Sequence, residues 1–299
     1  MLMNAILICP GERPTISPLS IGTPLVNLPL LGQTLLEYWL SYLAVHSAEH
    51  VLVLTQQELA DGAAAVSSGK RWGLNVKTVL EARELSPDEA RSKYGSPTEN
   101  DSQQTIVEVL DHFPGLPDPA LFGSHADFFR ALQLWMPHAI TPDRVGIRQV
   151  CPGVWTGVNA RVSPEAQINA PCWIGQHAVV SPGAVLRPGS IIEDCAFIDT
   201  AAEVSASWIA PHTFVGRLAR VTNSLAWGNQ LINWQTGSAT RVPDPFVLSA
   251  LWRRPKNPAQ PWFRRLRKLD FRQKEQPVPA WPELVVAEPK LTHESCTEH

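Results

Sequence analysis

From Val162 an aliphatic residue returns at every sixth position: Val162, Ile168, Ile174, Val180, Leu186, Ile192, Ile198 and Val204. If aliphatics make up roughly a quarter of residues, eight in strict register arise by chance about once in 10^5 for one starting frame. A second register of small residues runs beside the first: Ala166, Cys172, Ala178, Ala184, Ser190, Ala196 and Ala202. Each precedes the next aliphatic by two, so in an extended chain both side chains point to the same face. Pro164, Pro182 and Pro188 stand two places after an aliphatic, and Gly183 and Gly189 three places after, where the chain must bend. An α-helix would repeat its apolar face every ~3.6 residues. Short strands between corners, with large and small inward positions alternating, close instead as a narrow solenoid. The spacing shortens to five between Val204 and Ile209 and resumes through Val215 and Val221, which we read as a corner adjusted over Ser205 to Trp208.

Over residues 152–233 this pattern resembles the hexapeptide-repeat family, which implies a left-handed parallel β-helix with three hexads per coil and association into homo-oligomers through the solenoid. Such solenoids serve acyltransferases, sugar nucleotidyltransferase appendages and oligomerising modules, so fold alone does not choose a function. Acyl transfer would need a histidine on a coil surface to deprotonate the acceptor, with acyl-CoA in a groove between neighbouring solenoids. His177 and His212, each in the fourth place of a hexad, are the residues in question. An ordinary solvent-facing corner histidine is the competing reading of both.

The first half has a different rhythm. Apolar runs and helical spacings predict strands over 4–8, 50–55 and 75–80 and helices over 33–45 and 57–69. This βαβαβ order predicts a parallel sheet with helices on its faces and ligands beyond the carboxyl ends of its strands. A further strand over 105–110 would deliver Asp111 to that edge, and 128–136 reads as an amphipathic helix before the solenoid.

The stretch ILICPGERPTISPLSIGTPLVNLPLLGQTLLEYWLSYL resembles the opening of the sugar nucleotidyltransferase family, matching at Pro18-Leu19-Ser20, Pro24, Pro29, Gly32 and Leu36-Glu37-Tyr38. The resemblance implies an α/β, Rossmann-like nucleotidyltransferase domain over 1–145, shorter than a complete catalytic domain, followed by the left-handed β-helix over 150–235. It also implies nucleotide contacts at Gly11, Glu12, Arg13 and Thr15, with Mg2+ on Asp111 if the site is active. In that reaction a sugar 1-phosphate attacks the α-phosphorus of a nucleoside triphosphate, and fixed positive groups hold the charge of the departing pyrophosphate. Aligned on Pro18-Leu19, the family's loop arginine falls on Thr15 and its lysine on Leu25, while Pro10 and Pro14 have no N–H to offer a phosphate. Losing one such preorganised group commonly costs about 10^2 to 10^3 in rate. Arg13, two residues from the missing arginine, is the nearest replacement. The expectation is a domain that keeps the shape of a nucleotidyltransferase and has lost its chemistry. It would act as a regulatory, binding or scaffolding subunit of nucleotide-sugar or surface-polysaccharide biosynthesis. An active nucleotidyltransferase and a hexapeptide-repeat acyltransferase are the alternatives.

A net charge of -3 supplies no basic field for nucleic acid. Five scattered cysteines form neither a disulfide framework nor a zinc spacing, which suggests reduced cytoplasmic thiols. The stretch 245–299 concentrates Arg253, Arg254, Lys256, Arg264, Arg265, Arg267, Lys268, Arg272 and Lys274 around Trp262, Phe263, Leu266 and Leu269. This basic tail predicts a peripheral contact with an anionic inner-membrane face or a glycosyltransferase, or a packing helix that caps the solenoid.

Overall fold

Four apolar runs build the N-terminal sheet in the computed structural model, which describes residues 3–19, 24–57, 69–95, 104–141, 144 and 146–251. The helix expected over 57–69 falls almost wholly outside these residues, as does the basic stretch from 252 onward. Strands β1 (Met3–Ile8), β2 (Ala48–Thr55), β3 (Asn75–Leu80) and β4 (Gln104–Val109) are all parallel, in the order β3-β2-β1-β4. Chain order therefore reverses beside β1, the kind of position at which open parallel sheets place a crevice.

Helix α1 (Leu35–Val45) starts two residues later than its apolar spacing suggests because Thr34 caps it. The Thr34 hydroxyl accepts from the Glu37 N–H, and the Glu37 carboxylate accepts in return from the Thr34 N–H. Gln33–Thr34 pair instead with Pro29–Leu30 in a tight hairpin. Its turn residues, Leu31 and Gly32, take φ of 53° and 79°, the primed-turn geometry that two-residue hairpins require. A second helix, α2 (Pro87–Tyr94), was absent from the expectation although Ser86 and Glu89 form its capping box. Only Ala90 of this short, charged helix is buried, so no apolar period announces it. Helix α3 (His125–Trp135) follows, capped by Ser124.

The solenoid has three faces of stacked parallel strands. The first holds Val154–Thr156, Cys172–Ile174, Ser190–Ile192, Trp208–Ile209 and Ser224–Trp227. The second holds Arg161–Val162, Val179–Val180, Phe197–Ile198 and Thr213–Val215, and the third Gln167–Ile168, Val185–Leu186, Glu203–Ser205 and Arg220–Thr222. Cys172 lies against Ser190 and Val179 against Phe197, a coil of eighteen residues. Ile191 lies against Trp208, one residue fewer, so the shortened spacing removes one corner residue and leaves the ladder intact. That corner is Ala206 and Ser207; Trp208, expected within it, belongs to the next strand and is fully buried. The Ser207 hydroxyl donates to the Ser205 carbonyl at 2.7 Å and accepts from the Ser224 N–H at 3.0 Å, holding the tightened turn.

Both sequence registers face inward. From Ile174 to Val204 the aliphatics pack with Ala178, Ala184, Ala196 and Ala202 in one core that fills the prism. Corners turn through residues in the left-handed region, and Asn159, His177, Cys195 and His212 form one such column with φ between 53° and 58°. Their strain is offset because each N–H above the first reaches a carbonyl of the coil before: His177 to Val158, Cys195 to Gln176 and His212 to Asp194. From 245 onward the chain does not at once become a tail: Leu248–Ala250 pairs antiparallel with Thr213–Val215 and closes the second face.

The first face is apolar on its outside as well. Trp155, Trp173, Ile191, Trp208 and Leu225 stand in one outward row and share a core with Leu36, Trp39, Phe128 and Leu132 of the helices. Phe128 meets Trp208 edge to face at 5.5 Å, and Phe129 stacks on Trp234 at 4.9 Å. A strand buried on both sides reads as consecutive apolar residues, which Trp173-Ile174, Ile191-Ile192 and Trp208-Ile209 display. The α/β part is thus seated on one face of the solenoid through a continuous core.

Candidate functional site

Two places draw together the residues that the sequence singled out. The first is the crevice at the end of β1. The Gly11 N–H donates to Glu84 Oε2 at 2.9 Å, and Arg13 grips the same carboxylate with both terminal nitrogens, at 2.8 Å and 2.7 Å. A backbone amide and a guanidinium fork are what a phosphate oxygen would seek here, and the chain's own carboxylate holds both. The Arg13 guanidinium holds Glu84 below the usual carboxylate range; partial burial opposes this and the Gly11 N–H assists it.

Asp111 reaches the same edge, since β4 lies beside β1 and its charge acts on both Arg13 and Glu84. Its Oδ1 lies 2.5 Å from His112 Nδ1. Glu12 is bridged to Gln57 at 3.4 Å, and the Thr15 hydroxyl makes a long contact with the Phe122 carbonyl at 3.4 Å. Leu25, aligned with the missing lysine, is buried in the apolar core. Cys9, just below, is kept a neutral thiol: burial and the Glu84 charge push it up to about 12. Cys9, Gly11, Val26, Thr55 and Gln56 line a cleft of about 70 Å³, small beside the ~300–1,000 Å³ of ordinary ligand pockets.

For Mg2+ the donor set does not fit. Glu84, the carboxylate that feels the Asp111 charge, has both oxygens bonded to Arg13, and a guanidinium beside the site repels a cation. Among the described residues no group of three or more His, Cys, Asp or Glu side chains is arranged to hold a metal.

The second place is the solenoid corner that carries His177, Cys195 and His212. Both histidines are exposed and Cys195 is half-buried. Between the two coils sits Asp194, whose carboxylate accepts from the Gln176 N–H at 2.7 Å. Burial pushes Asp194 up, and the Gln176 N–H, Arg144, His177 and His212 act in the opposite direction. Both histidines lie within electrostatic range of this one carboxylate, which sequence reasoning did not select.

Glu193, its neighbour, is wholly buried and also reaches the Leu31–Gly32 hairpin. It accepts from the Leu31 N–H at 2.6 Å, the Gly32 N–H at 2.7 Å and Trp208 Nε1 at 2.9 Å. Arg144 completes this junction, donating to the Leu31 carbonyl at 2.7 Å, the Ala139 carbonyl at 2.8 Å and Tyr38 Oη at 3.1 Å, with its guanidinium over the Trp173 ring. A side chain on Gly32 would meet Arg144 Nη2 at 2.7 Å and Asp194 Oδ1 at 3.2 Å, so a larger residue where the hairpin enters must displace the Arg144 guanidinium. Glu193 and Asp194 stand out in IIEDCAF as an acidic pair at a corner, but nothing in that string tells which one is covered. Glu84 had no local signal at all, since its partners lie 71 and 73 residues away.

No family model and no curated protein matches the chain. Among solved structures, the acetyltransferase domain of PglB from Neisseria gonorrhoeae FA1090 is similar at 15% identity. The match covers 76% of this chain and 83% of that one, with a TM-score of 0.16. The same domain in complex with acetyl coenzyme A gives the same figures. A likeness at that TM-score fixes neither an activity nor a ligand for this chain. Among the described residues no helix is long and apolar enough to cross a membrane.

Proposed function

We propose that this chain is a nucleotidyltransferase-like protein that no longer transfers nucleotides. Its α/β part serves as a binding or scaffolding module on the solenoid, within the nucleotide-sugar or surface-polysaccharide chemistry that the family resemblance implies. One observation carries this reading: the carboxylate of Glu84 takes the Gly11 N–H and both Arg13 nitrogens. An anion from solution must displace a charge-assisted, bidentate partner that is tethered in place, and a triphosphate arriving there meets a negative charge in front of the only cation of the loop. Leu25 in place of a lysine and two prolines in place of N–H donors remove the other stabilising groups. The test is pyrophosphate release from nucleoside triphosphates and sugar 1-phosphates with Mg2+, alongside thermal shift with the same ligands. We expect neither turnover nor a shift above that of a salt control. Release that vanishes in Arg13→Ala would reverse this reading.

A second reading is favoured by one specific observation: His177 and His212 stand on coils either side of Asp194, whose carboxylate accepts from the Gln176 N–H and whose carbonyl accepts from the His212 N–H. A surface histidine in electrostatic range of a carboxylate is a candidate general base for acyl transfer. Acetyl-CoA hydrolysis or transfer to amino sugars, lost in His177→Ala or His212→Ala while thermal stability is unchanged, would establish it.

A further inference from the structure

We propose that the second face of the solenoid is an association surface for a second copy of this chain, packed face to face and antiparallel about a two-fold axis. The inference is independent of either functional reading. It begins from the outsides of the three faces. The first is covered by the helices of the α/β part. The third carries charge, with Glu203 paired to both Arg187 and Arg220. On the second, Val180, Ile198 and Val215 point into the prism, which leaves Val179, Phe197 and Phe214 in one outward row on successive coils. The rings of Phe197 and Phe214 lie 5.7 Å apart, and all three residues of the row remain partly exposed. Phe246, whose carbonyl lies against Gly216 at the corner of the fourth coil, is 81% exposed. Scattered apolar residues are normal on a surface, but a continuous row of them marks a contact site.

The charges beside this row decide what covers it. Arg161, on the first coil, begins the row, since it lies against Val179 as Val179 lies against Phe197. The corner that leads from this face to the third carries Glu165 on the first coil and Arg217 on the fourth, and all three charged residues are exposed. Between those charged ends the corner holds the small residues Gly183 and Ala201, which allow a close approach. A two-fold axis that crosses the face between the second and third coils sets the first coil of one copy against the fourth of the other, and the second against the third. Val179 then meets Phe197 of the second copy, Arg161 lies on the Phe214 ring, and Glu165 meets Arg217, each contact occurring twice. A parallel pair about an axis along the row would instead set Arg161 against its own copy. The occupant and its sense are thus selected by where the charges stand on this face, and not by the repeat that builds it.

The test uses the full chain. Sedimentation equilibrium over a wide range of concentration should return twice the chain mass for the parent protein. Phe197→Asp puts a charge in the middle of the row without entering the solenoid core, and it should give a monomer with an unchanged circular dichroism spectrum. Glu165→Arg and Arg217→Glu each set like charges together at two symmetric places, and either alone should weaken association about tenfold or more. The double variant restores both pairs with their signs exchanged and should recover most of that loss. A monomeric parent, whether its second face is bare or is covered by its own chain or another protein, overturns the proposal, as does any other stoichiometry. A dimer indifferent to Phe197→Asp, or single reversals that the double variant does not rescue, overturns it too. Should Phe197→Asp fail to fold, the reversals at the exposed corner decide alone.

Discussion

Glu84 and Glu193 do the same thing in two regions of the molecule and are driven in opposite directions. Each carboxylate comes from outside the segment it binds and accepts from backbone amides and a side-chain donor. At the crevice the donor is a guanidinium and solvent has access, so Glu84 is held low. At the junction the side-chain donor is a neutral indole in a dry core, so Glu193 is driven up. Counting hydrogen bonds would rank the two alike. The ionisation of a carboxylate depends as much on a compensating charge and on water as on the number of donors.

That contrast breaks most severely at the junction. Trp208→Ala removes a fully buried ring packed against Phe128 and Trp227 and strips Glu193 of one donor. We expect a loss of about 3–5 kcal/mol, read as a lower urea midpoint. Gly32→Ala comes next. A Cβ there meets Arg144 and Asp194 and adopts a φ that alanine disfavours, so a loss of about 1–3 kcal/mol should appear together with weaker protection of the Leu31 amide.

At the crevice the effects are smaller, because both partners are about one-third exposed and water screens them. Glu84→Ala should cost about 1 kcal/mol or less and in exchange free Gly11 and Arg13 for an outside anion. Inorganic phosphate or triphosphate should then raise the melting temperature of the variant and leave the parent unmoved; equal shifts in both would show that Glu84 is no barrier. The pH dependences should also be opposed. Since Glu84 is depressed below 4.5, the advantage of the parent over Glu84→Gln is full above that value and fades as pH falls through the native pKa. The corresponding advantage at Glu193 is lost as pH rises from 4.5 toward 7. Paired urea titrations of the two Gln variants at about pH 3, 5 and 8 measure both slopes. The smallest stability effect is at the corner column: exposed His177 and His212, each changed to Ala, should leave the unfolding free energy from urea titration within about 0.5 kcal/mol of the parent.

The legible parts of the chain were those governed by near neighbours. Aliphatics and small residues in alternation specify which way each strand faces, and Ile174 to Val204 all point into the prism as their spacing requires. The fourth place of the hexad, where Gly183 and Gly189 stand, is also where His177, Cys195 and His212 enter the left-handed region. The N-terminal strands were visible for the same reason, and α2 was missed because its helix is sustained by caps and charges rather than by an apolar stripe. Leu25, which the family resemblance aligns with a lysine, is packed in the core.

What the string of residues determined by itself was a three-faced solenoid, a parallel sheet ahead of it, and a loop after the first strand that is short of cations, because strand period, corner residues and side-chain charge are local properties. The tertiary structure alone decided which face of the solenoid is covered, and with it the fates of Glu84, Glu193, Asp194 and Arg144. Hydration and pairing set the behaviour of an ionisable group, and Glu84 and Glu193 owe theirs to partners 71 and 162 residues away along the chain.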